Sequence, residues 1–504
     1  MDMQHKRTLW WGTLTLTGAA LASRGLGLVY RMLLARFLGS EGLGFFQMIF
    51  PLYISLVTLA VAGTPVAVSQ LIAEDNINGT LLVRRSLAVV TAISLPLMVL
   101  VILAARPLAM ALYHDIRFSL FLVTLAPALL AVGLSAVLRG YFVGVQHLTY
   151  PAFSQVAEQL TRVVILYTLL NIVGHRAFSN APLVAVALIP FGEGISLIIL
   201  GAAYYRTFSN ASSLGSVSKP RAITIPQILE VSLPVTFSRL LGSLVGVVEA
   251  FWLPWRLERA GMSTYNAIRY FGQLTGMAIP LILFPTALTM ALATNLIPLV
   301  SQAHSRGDQK GIRSVLMESL QTTAVFTVPV TMFLLIFGPH LDDLFFHSHV
   351  ATSLFYPLTL GGFFLYFDIT VSGALRGLGR TGIPMRNDLI ASGVELALIW
   401  MFTTHLSTAP VGVASAIAVG FVISPILNTW SLTRLTRISI PWIKILSTPL
   451  LSAIPAVLSL LLWHLWAMAL HFNPLLNLSV AITIGLLAYL AALAMTGRSF
   501  GIGL

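Results

Sequence analysis

Apolar stretches long enough to cross a lipid bilayer recur about every 25 to 40 residues along this 504-residue chain, and each crossing needs about 20 such residues. A bilayer interior offers backbone amides no water, so spanning segments of this length must satisfy their own hydrogen bonds as helices. Charged residues make up 9% of the chain and hydrophobic ones 57%, whereas a soluble domain carries about 25% charged residues. The expected fold class is therefore all-α and polytopic. Fourteen spans can be placed, at 9–37, 43–72, 86–113, 118–145, 152–174, 182–205, 226–255, 271–301, 315–338, 350–375, 388–407, 410–433, 445–470 and 475–496. No Pro-rich, Ser-rich or highly charged linker breaks the series into separate soluble domains.

An even number of spans returns both termini to one side, and the basic residues say which. With that side cytoplasmic, Lys6, Arg7, Arg84, Arg85, Arg139, Arg206, Lys219, Arg221, Arg306, Lys310, Arg313, Arg376, Arg380, Arg386, Arg434, Arg437, Lys444 and Arg498 lie inside, 18 of the 29 Lys and Arg. Seven lie outside or at the outer rim: Arg36, Arg106, Arg117, Arg176, Arg256, Arg259 and Arg269. This asymmetry follows the positive-inside rule and puts a multi-pass protein in the plasma membrane with both termini cytoplasmic. It also explains the net charge of +12 by topology, without a nucleic-acid partner. The stretch after Met1–Arg7 continues through Arg24 with no small-residue cleavage site, so it reads as a retained span rather than a signal peptide. The chain has no Cys, which excludes disulfides, thiolate metal sites and Cys nucleophiles.

Three short matches recur in the same order: Ser23-Arg24-Gly25-Leu26-Gly27 with Ser238-Arg239-Leu240-Leu241-Gly242, Val68-Ser69-Gln70 with Val300-Ser301-Gln302, and Leu138-Arg139-Gly140 with Leu375-Arg376-Gly377. Their offsets are 215, 232 and 237 residues, and they occupy equivalent places in spans 1 and 7, 2 and 8, and 4 and 10. Two six-span halves of even span number enter the membrane in the same direction, a parallel repeat suited to alternating access. The expected organisation is an N-terminal lobe at 1–207, a cytoplasmic linker at 208–225, a C-terminal lobe at 226–437 and two extra spans at 438–504. Spans 13 and 14 are free of Asp, Glu, Lys and Arg between Lys444 and Arg498, which marks them as lipid-facing or as the wall of an apolar groove.

A charge at mid-bilayer costs at least about 2.5 kcal/mol on insertion scales, so each one inside a span needs a partner or a function. Arg24 and Arg31 are seven residues apart, on one stripe of span 1, with Gly27 between them keeping the stripe shallow. Arg239 stands at the repeat-equivalent place in span 7. Together the three form a candidate site for a phosphate or pyrophosphate, which the guanidinium fork suits; pairing with Glu193, Glu249 or Glu395 is the structural alternative. Glu158 and Arg162 have the spacing of an ion pair on one helix face. Asp368 and Glu395, in spans 10 and 11, are candidates for a proton or cation relay or for charge partners of those arginines. The sequence His340, Asp342, Asp343, His347, His349 has metal-ligand residue types, but a solvated turn between spans 9 and 10 accounts for it, and no metal or other cofactor is expected. No G-x-x-x-x-G-K-[ST] segment is present, so this chain is not expected to hydrolyse ATP. Neither a Ser, His and Asp arrangement nor H-E-x-x-H appears, which points away from an enzyme.

The span 1 run Ser23-Arg24-Gly25-Leu26-Gly27-Leu28-Val29-Tyr30-Arg31-Met32-Leu33-Leu34-Ala35-Arg36-Phe37-Leu38-Gly39, followed by Glu41-Gly42-Leu43-Gly44, resembles the opening of the stage V sporulation protein B group. So do Tyr270-Phe271-Gly272-Gln273-Leu274-Thr275-Gly276-Met277, Phe284-Pro285, Pro298-Leu299-Val300-Ser301-Gln302 and Gly377-Leu378-Gly379-Arg380. That group belongs to the polysaccharide-exporter branch of the multidrug/oligosaccharidyl-lipid/polysaccharide exporter superfamily, and its relatives include the MurJ-type lipid II flippases. The resemblance implies a V-shaped two-lobed bundle, with Arg24 and Gly27 matching the flippase opening pattern. It further implies an undecaprenyl-linked peptidoglycan precursor as substrate, for cell wall or spore cortex. The expected partners are that lipid-linked oligosaccharide, membrane lipids and cell-wall synthesis enzymes.

Three functions remain open at this level: a flippase for lipid-linked oligosaccharides, a cation-coupled exporter of small amphiphiles relying on Asp368 and Glu395, and a membrane-embedded enzyme or scaffold of polysaccharide assembly. The orientation is directly testable because the chain lacks Cys. In intact cells, an impermeant maleimide should label Ser179→Cys, in the loop after span 5, and leave Ser213→Cys untouched until the membrane is opened. The reverse pattern would invert the topology.

Overall fold

The computed structural model describes residues 3–73, 77–173, 181–211, 223–346, 352–469 and 473–499. Among them the chain is helical, with no β-strand. In chain order it comprises α1 (Met3–Val61), α2 (Thr64–Ile72), α3 (Gly79–Leu103), α4 (Ala105–Tyr113), α5 (Arg117–Gly144), α6 (Thr149–Val173), α7 (Ala181–Ala211), α8 (Ile225–Arg259) and α9 (Thr264–Gln273). After a π-helical turn at Leu274–Ala278 come α10 (Ile279–Leu283), α11 (Thr286–Ser305), α12 (Gln309–Phe346), α13 (Thr352–Gly377), α14 (Gly382–Phe402), α15 (Ala409–Thr436), α16 (Trp442–Ala469) and α17 (Pro474–Ser499).

Ten helical stretches among the described residues are long and apolar enough to cross a membrane, and an eleventh span is the pair Thr264–Leu283 and Thr286–Ser305, bent by 53°. The stretch Ala22–Ile72 counts as one of the ten at 51 residues. At 1.5 Å per residue it would be about 75 Å long, against a hydrocarbon core of about 30 Å, so it holds two spans. Gly39 divides them: its φ of 66° and ψ of 179° lie in a region that is essentially glycine-only. The two remaining spans are α6 and α14, which fall below the hydropathy test. They carry Glu158 and Arg162, and Arg386, Asp388 and Glu395 respectively. Fourteen spans result, as the sequence leads one to expect.

Two compact units emerge from packing, one of Met1–Glu258 with Ser263–Gly276 and one of Arg259–Met262 with Met277–Leu504. Packing thus groups α8 and α9 with the first six spans, whereas the sequence repeat groups them with the later ones. The reason is close backbone contact. A Cβ added at Gly63 would press on the Ser232 carbonyl oxygen of α8, one at Gly246 of α8 would stand 3.6 Å from Pro51 of α1, and one at Gly272 of α9 would press on the Ser40 carbonyl oxygen of α1. Most of the 208–225 linker lies outside the described residues.

The duplication shows in the packing of each unit. A Cβ on Gly140, at the end of α5, would stand 2.6 Å from the Pro65 carbonyl of α2; one on Gly377, at the end of α13, would stand 2.8 Å from the Ile297 carbonyl of α11. These glycines differ by the offset of 237 and their partners by that of 232. Val68 and Leu138 share one buried core with Leu82, Phe142 and Leu200; Val300 and Leu375 share the other with Leu316, Leu320 and Phe367. The last two spans, α16 and α17, pair with each other through Ser452 and Thr496 at 2.8 Å and lean on α12, where the Tyr489 hydroxyl donates to the Val325 carbonyl. Leu458, Leu462, Leu486 and Leu490 stay exposed on their outer faces, as lipid contact requires.

A methyl group at Gly272 would press on backbone atoms, 2.6 Å from the Gly44 nitrogen. Gly272→Ala is expected to destabilise the protein by ~1–3 kcal/mol, the usual cost of overpacking, read as a lower unfolding temperature in detergent. Gly382→Ala, with nothing within 4 Å of the added atom, serves as the comparison and should melt close to wild type.

Candidate functional site

Span 1 presents its arginines on a face that other helices do not cover. Cβ atoms added at Gly25 and Gly27 of α1 would meet nothing within 4 Å, and the same holds at Gly242 of α8, beside Arg239. Arg24 and Arg31 are half-buried and Arg239 is exposed. Among the described residues, no carboxylate lies within 4.0 Å of Arg31 or Arg239. The neighbouring Tyr30 turns inward instead, buried, its hydroxyl 3.4 Å from the Ala185 carbonyl of α7. The structure therefore sets all three arginines in the first compact unit, on α1 and α8.

Behind that face lies a buried ion cluster. Arg162 Nη2 is 2.9 Å from Glu158 Oε1 and 2.9 Å from Glu193 Oε1, and Arg139 Nη2 is 3.8 Å from Glu158 Oε2 and 3.1 Å from the Ser196 hydroxyl. Helices α5, α6 and α7 are thereby tied together by two arginines and two glutamates whose formal charges cancel. Gly192 makes room: a Cβ there would sit 2.5 Å from Arg162 Nε. The i,i+4 spacing of Glu158 and Arg162 is legible in sequence, but the third member is not. Glu193 pairs with Arg162 here, so it is not the partner of Arg31 or Arg239. Glu249, on α8, is half-buried and makes no ion pair within 4.0 Å among the described residues.

The second unit buries a polar network of another kind, across α13, α14 and α15. Asp368, 7% exposed, accepts a hydrogen bond from Asn428 Nδ2 at 2.8 Å, and its other oxygen is 3.4 Å from the Ser424 hydroxyl. That hydroxyl is also 2.5 Å from Asp388 Oδ1. Asn387 donates to Asn428 Oδ1 at 2.8 Å and Arg386 reaches Asn387 Oδ1. Asp388 is exposed. It was not among the acids singled out from the sequence, because its position near the start of span 11 reads as an interfacial charge. Glu395, two turns along α14, is buried, its carboxylate against Gly420 of α15, where a Cβ would stand 2.5 Å away. Asp368 and Glu395 therefore belong to the second unit's own packing.

One expectation requires correction. The segment read as a solvated turn around His340 is helical, the last turns of α12, and Asp342 within it is fully buried. His340 packs edge-on against His464 of α16, ring centroids 4.9 Å apart. Two flanking phenylalanines, Phe337 and Phe346, extend the apolar run enough to carry the helix past Pro339. His347 and His349 lie outside the described residues.

Removing the guanidinium that Glu158 and Glu193 share leaves the two carboxylates with only Arg139, 3.8 Å from Glu158, to offset them, a loss of ~3–5 kcal/mol for a broken buried pair. Arg162→Met should therefore melt well below wild type in detergent. Replacing Glu158 and Glu193 with Gln in the same protein should recover most of the loss, since the repulsion goes with the charges. A triple variant no more stable than Arg162→Met would show that the cluster acts by packing alone.

The polysaccharide biosynthesis protein family matches residues 9–304, and the MatE family matches residues 274–401. The chain is 30% identical over 445 residues to stage V sporulation protein B of Bacillus subtilis (strain 168), covering 86% of this chain and 85% of that protein. It is 23% identical over 345 residues to the lipid II flippase MurJ of the same organism, covering 64% and 63%. Among solved structures, lipid II flippase MurJ in its inward closed conformation superposes with a TM-score of 0.70 at 20% identity, over 96% of this chain and 99% of that one. The first compact unit thus bears the arginine face and the neutral cluster around Arg162, the second bears Asp368, Asp388 and Glu395, and the chain belongs to the polysaccharide biosynthesis protein family, within the stage V sporulation protein B-like group of the multidrug/oligosaccharidyl-lipid/polysaccharide exporter superfamily.

Proposed function

We propose that the protein is a flippase that moves an undecaprenyl-pyrophosphate-linked peptidoglycan precursor, of the lipid II type, across the plasma membrane by alternating access, for cell wall or spore cortex synthesis. The observation that carries this reading is the arginine face of α1 and α8. Arg31 and Arg239 have no carboxylate within 4.0 Å among the described residues, and the glycines beside them border open space. A cation kept inside a membrane span at the cost of insertion needs an anion from somewhere, and a diphosphate presents oxygens in the geometry a guanidinium fork binds. The named relatives, one a sporulation protein and one a lipid II flippase, supply the substrate class.

The protein is a carrier in this reading, with no bond made or broken. Outward movement of a negative headgroup from an inside-negative cell gains about 2.3 kcal/mol per charge per 100 mV, so the membrane potential alone can drive transport wherever the protein does not move a compensating charge with the substrate. Lipids wall the path and cell-wall enzymes use the product.

A cation-coupled exporter of small amphiphiles is the second reading. It is favoured by the MatE match over 274–401, which takes in Asp368 and Asp388. The two separate by which charges matter. In liposomes carrying fluorescent lipid II under an inside-negative potential, wild-type protein should expose headgroups on the opposite leaflet faster than empty liposomes do. Arg24→Ala, Arg31→Ala and Arg239→Ala should each lower that rate at least about tenfold, the loss of about 1.4 kcal/mol expected when a charged contact to a phosphate is removed. Full activity in all three variants would remove the arginine face from the mechanism.

A further inference from the structure

At the helix ends that the positive-inside rule makes external, the first unit holds an open cavity of about 930 Å3, within the about 300–1,000 Å3 of small-molecule sites. One wall is the end of α8 and the facing one is the turn between α4 and α5. On α8 the cavity residues Trp252, Trp255 and Glu258 follow one another at three-residue spacing, so they share one side of the helix's last turns. Trp255 is 39% exposed. Glu258 is half-buried, and no Lys, Arg or His nitrogen lies within 4.0 Å of it among the described residues. None of Arg24, Arg31 and Arg239 lines this space.

The facing wall is fixed by its own contacts. The rings of Tyr113 and Phe118 stack with centroids 4.1 Å apart and planes 13° from parallel, and the Tyr113 hydroxyl donates to the Met48 carbonyl at 3.1 Å. Arg117 donates to both oxygens of Asp115, from its backbone nitrogen at 2.9 Å and from Nε at 2.8 Å, while its guanidinium lies 4.5 Å from the centre of the Phe45 ring. Asp115 is thereby neutralised but keeps lone pairs that can accept further hydrogen bonds. Between these residues His114 ends α4 with φ 53° and ψ 25°, a left-handed conformation uncommon outside glycine, and it lines the cavity with its side chain exposed.

Tryptophans near a membrane surface commonly form an interfacial belt with their rings toward lipid. Here they share a cavity with two carboxylates and a histidine, groups that a lipid-facing position would not gather. Flat rings set beside acceptors suit a ligand that is apolar on its faces and carries hydroxyls around its edge, which is the chemistry of a pyranose. An ammonium is the other guest that aromatic rings attract, but Arg117 already cancels one of the two acids. We infer that this cavity is a saccharide-binding site on the outer surface, in which Trp252 and Trp255 stack on sugar rings while Glu258 and Asp115 accept hydrogen bonds from sugar hydroxyls. A sugar seated there touches both α8 and the α4–α5 turn, so occupancy ties span 7 to spans 3 and 4. The site needs neither phosphate nor lipid in its ligand, and it is independent of which substrate crosses the membrane.

The test is saturation-transfer difference NMR on the full-length protein in lipid nanodiscs, with soluble chitotriose, a neutral saccharide of three rings, as the probe. Wild type should transfer saturation to the ring C–H protons of the sugar, and Trp255→Ala should weaken binding at least about fivefold, the effect of losing one aromatic stacking partner. Glu258→Gln keeps the shape of the cavity and should also weaken binding, which decides the matter should the tryptophan variant fail to fold. Trp466→Ala, exposed on α16, should bind as wild type does. No transfer above that of empty nanodiscs overturns the proposal, and transfer to choline in its place would make the cavity an ammonium cage. Equal affinity in wild type, Trp255→Ala and Glu258→Gln overturns it too. In intact cells an impermeant maleimide should reach Thr264→Cys, which lines the cavity at the exposed start of α9; labelling only after the membrane is opened would remove the site from the outer face. Because the probe carries no lipid and no phosphate, either outcome leaves the flippase reading to its own assay.

Discussion

The absence of water from the bilayer interior governs the whole structure. Each polar group inside a span must find its partner within the protein or face a solvated space. Along most spans the sequence avoids the problem by being apolar. Where it is not, two helices carry several interior charges each and fall short of a simple hydropathy test. Helix α6 brings Glu158 and Arg162, and α14 brings Asn387, Asp388 and Glu395. These two helices are spans 5 and 11, repeat equivalents, and each is sheltered by its neighbours: α6 chiefly by α1 and α7, α14 chiefly by α15.

The two repeats answer the same constraint differently. In each, the Leu-Arg-Gly segment ends span 4 or span 10 with the glycine against a carbonyl of the preceding repeat helix. In the first, Arg139 is near enough to Glu158 for direct contact at 3.8 Å, and Arg162 completes a neutral cluster. In the second, Arg376 remains at the exposed end of α13, span 11 supplies no interior arginine, and amides and hydroxyls take the place of the missing cations. A cluster of balanced charges is a rigid tie, because separating any member strands the others. The duplication therefore yields one half whose interior charges cancel and one half whose interior acids are held by neutral donors.

Much of this architecture is legible in the sequence because it depends on properties carried by single segments. Run length sets the spans, the distribution of Lys and Arg sets the expected orientation, and the three short recurring matches reveal the duplication that Gly140 and Gly377 then express as equivalent close approaches. Gly39 needed no long-range information either, since two apolar spans must part somewhere and a glycine is the residue that can turn. Pairing between helices was not legible. Glu158 and Arg162 can be matched on paper because they share a helix face, but Glu193 is 31 residues farther on, and only the tertiary contact shows that Arg162 serves both. Asp388 is missed for a related reason: a charge six residues inside a helix end looks interfacial until Ser424 of α15 is found against it. The helical extension through Asp342 was hidden by residue types that favour turns, overridden by burial.

The same logic sets the arginine face apart from the clusters around Arg162 and Asp368. Glu158, Arg162 and Glu193 have partners in the first unit, and the polar atoms around Asp368 are bonded to one another in the second. Arg31 and Arg239 have no such closure, and the glycines next to them leave space rather than fill it. Burying a guanidinium without a counter-charge costs more than any packing gain at these positions could offset, so the residues make physical sense only where a hydrated path or an anionic ligand reaches them. Tyr30 turns into the protein toward α7, and Arg31, one residue on, turns away from it.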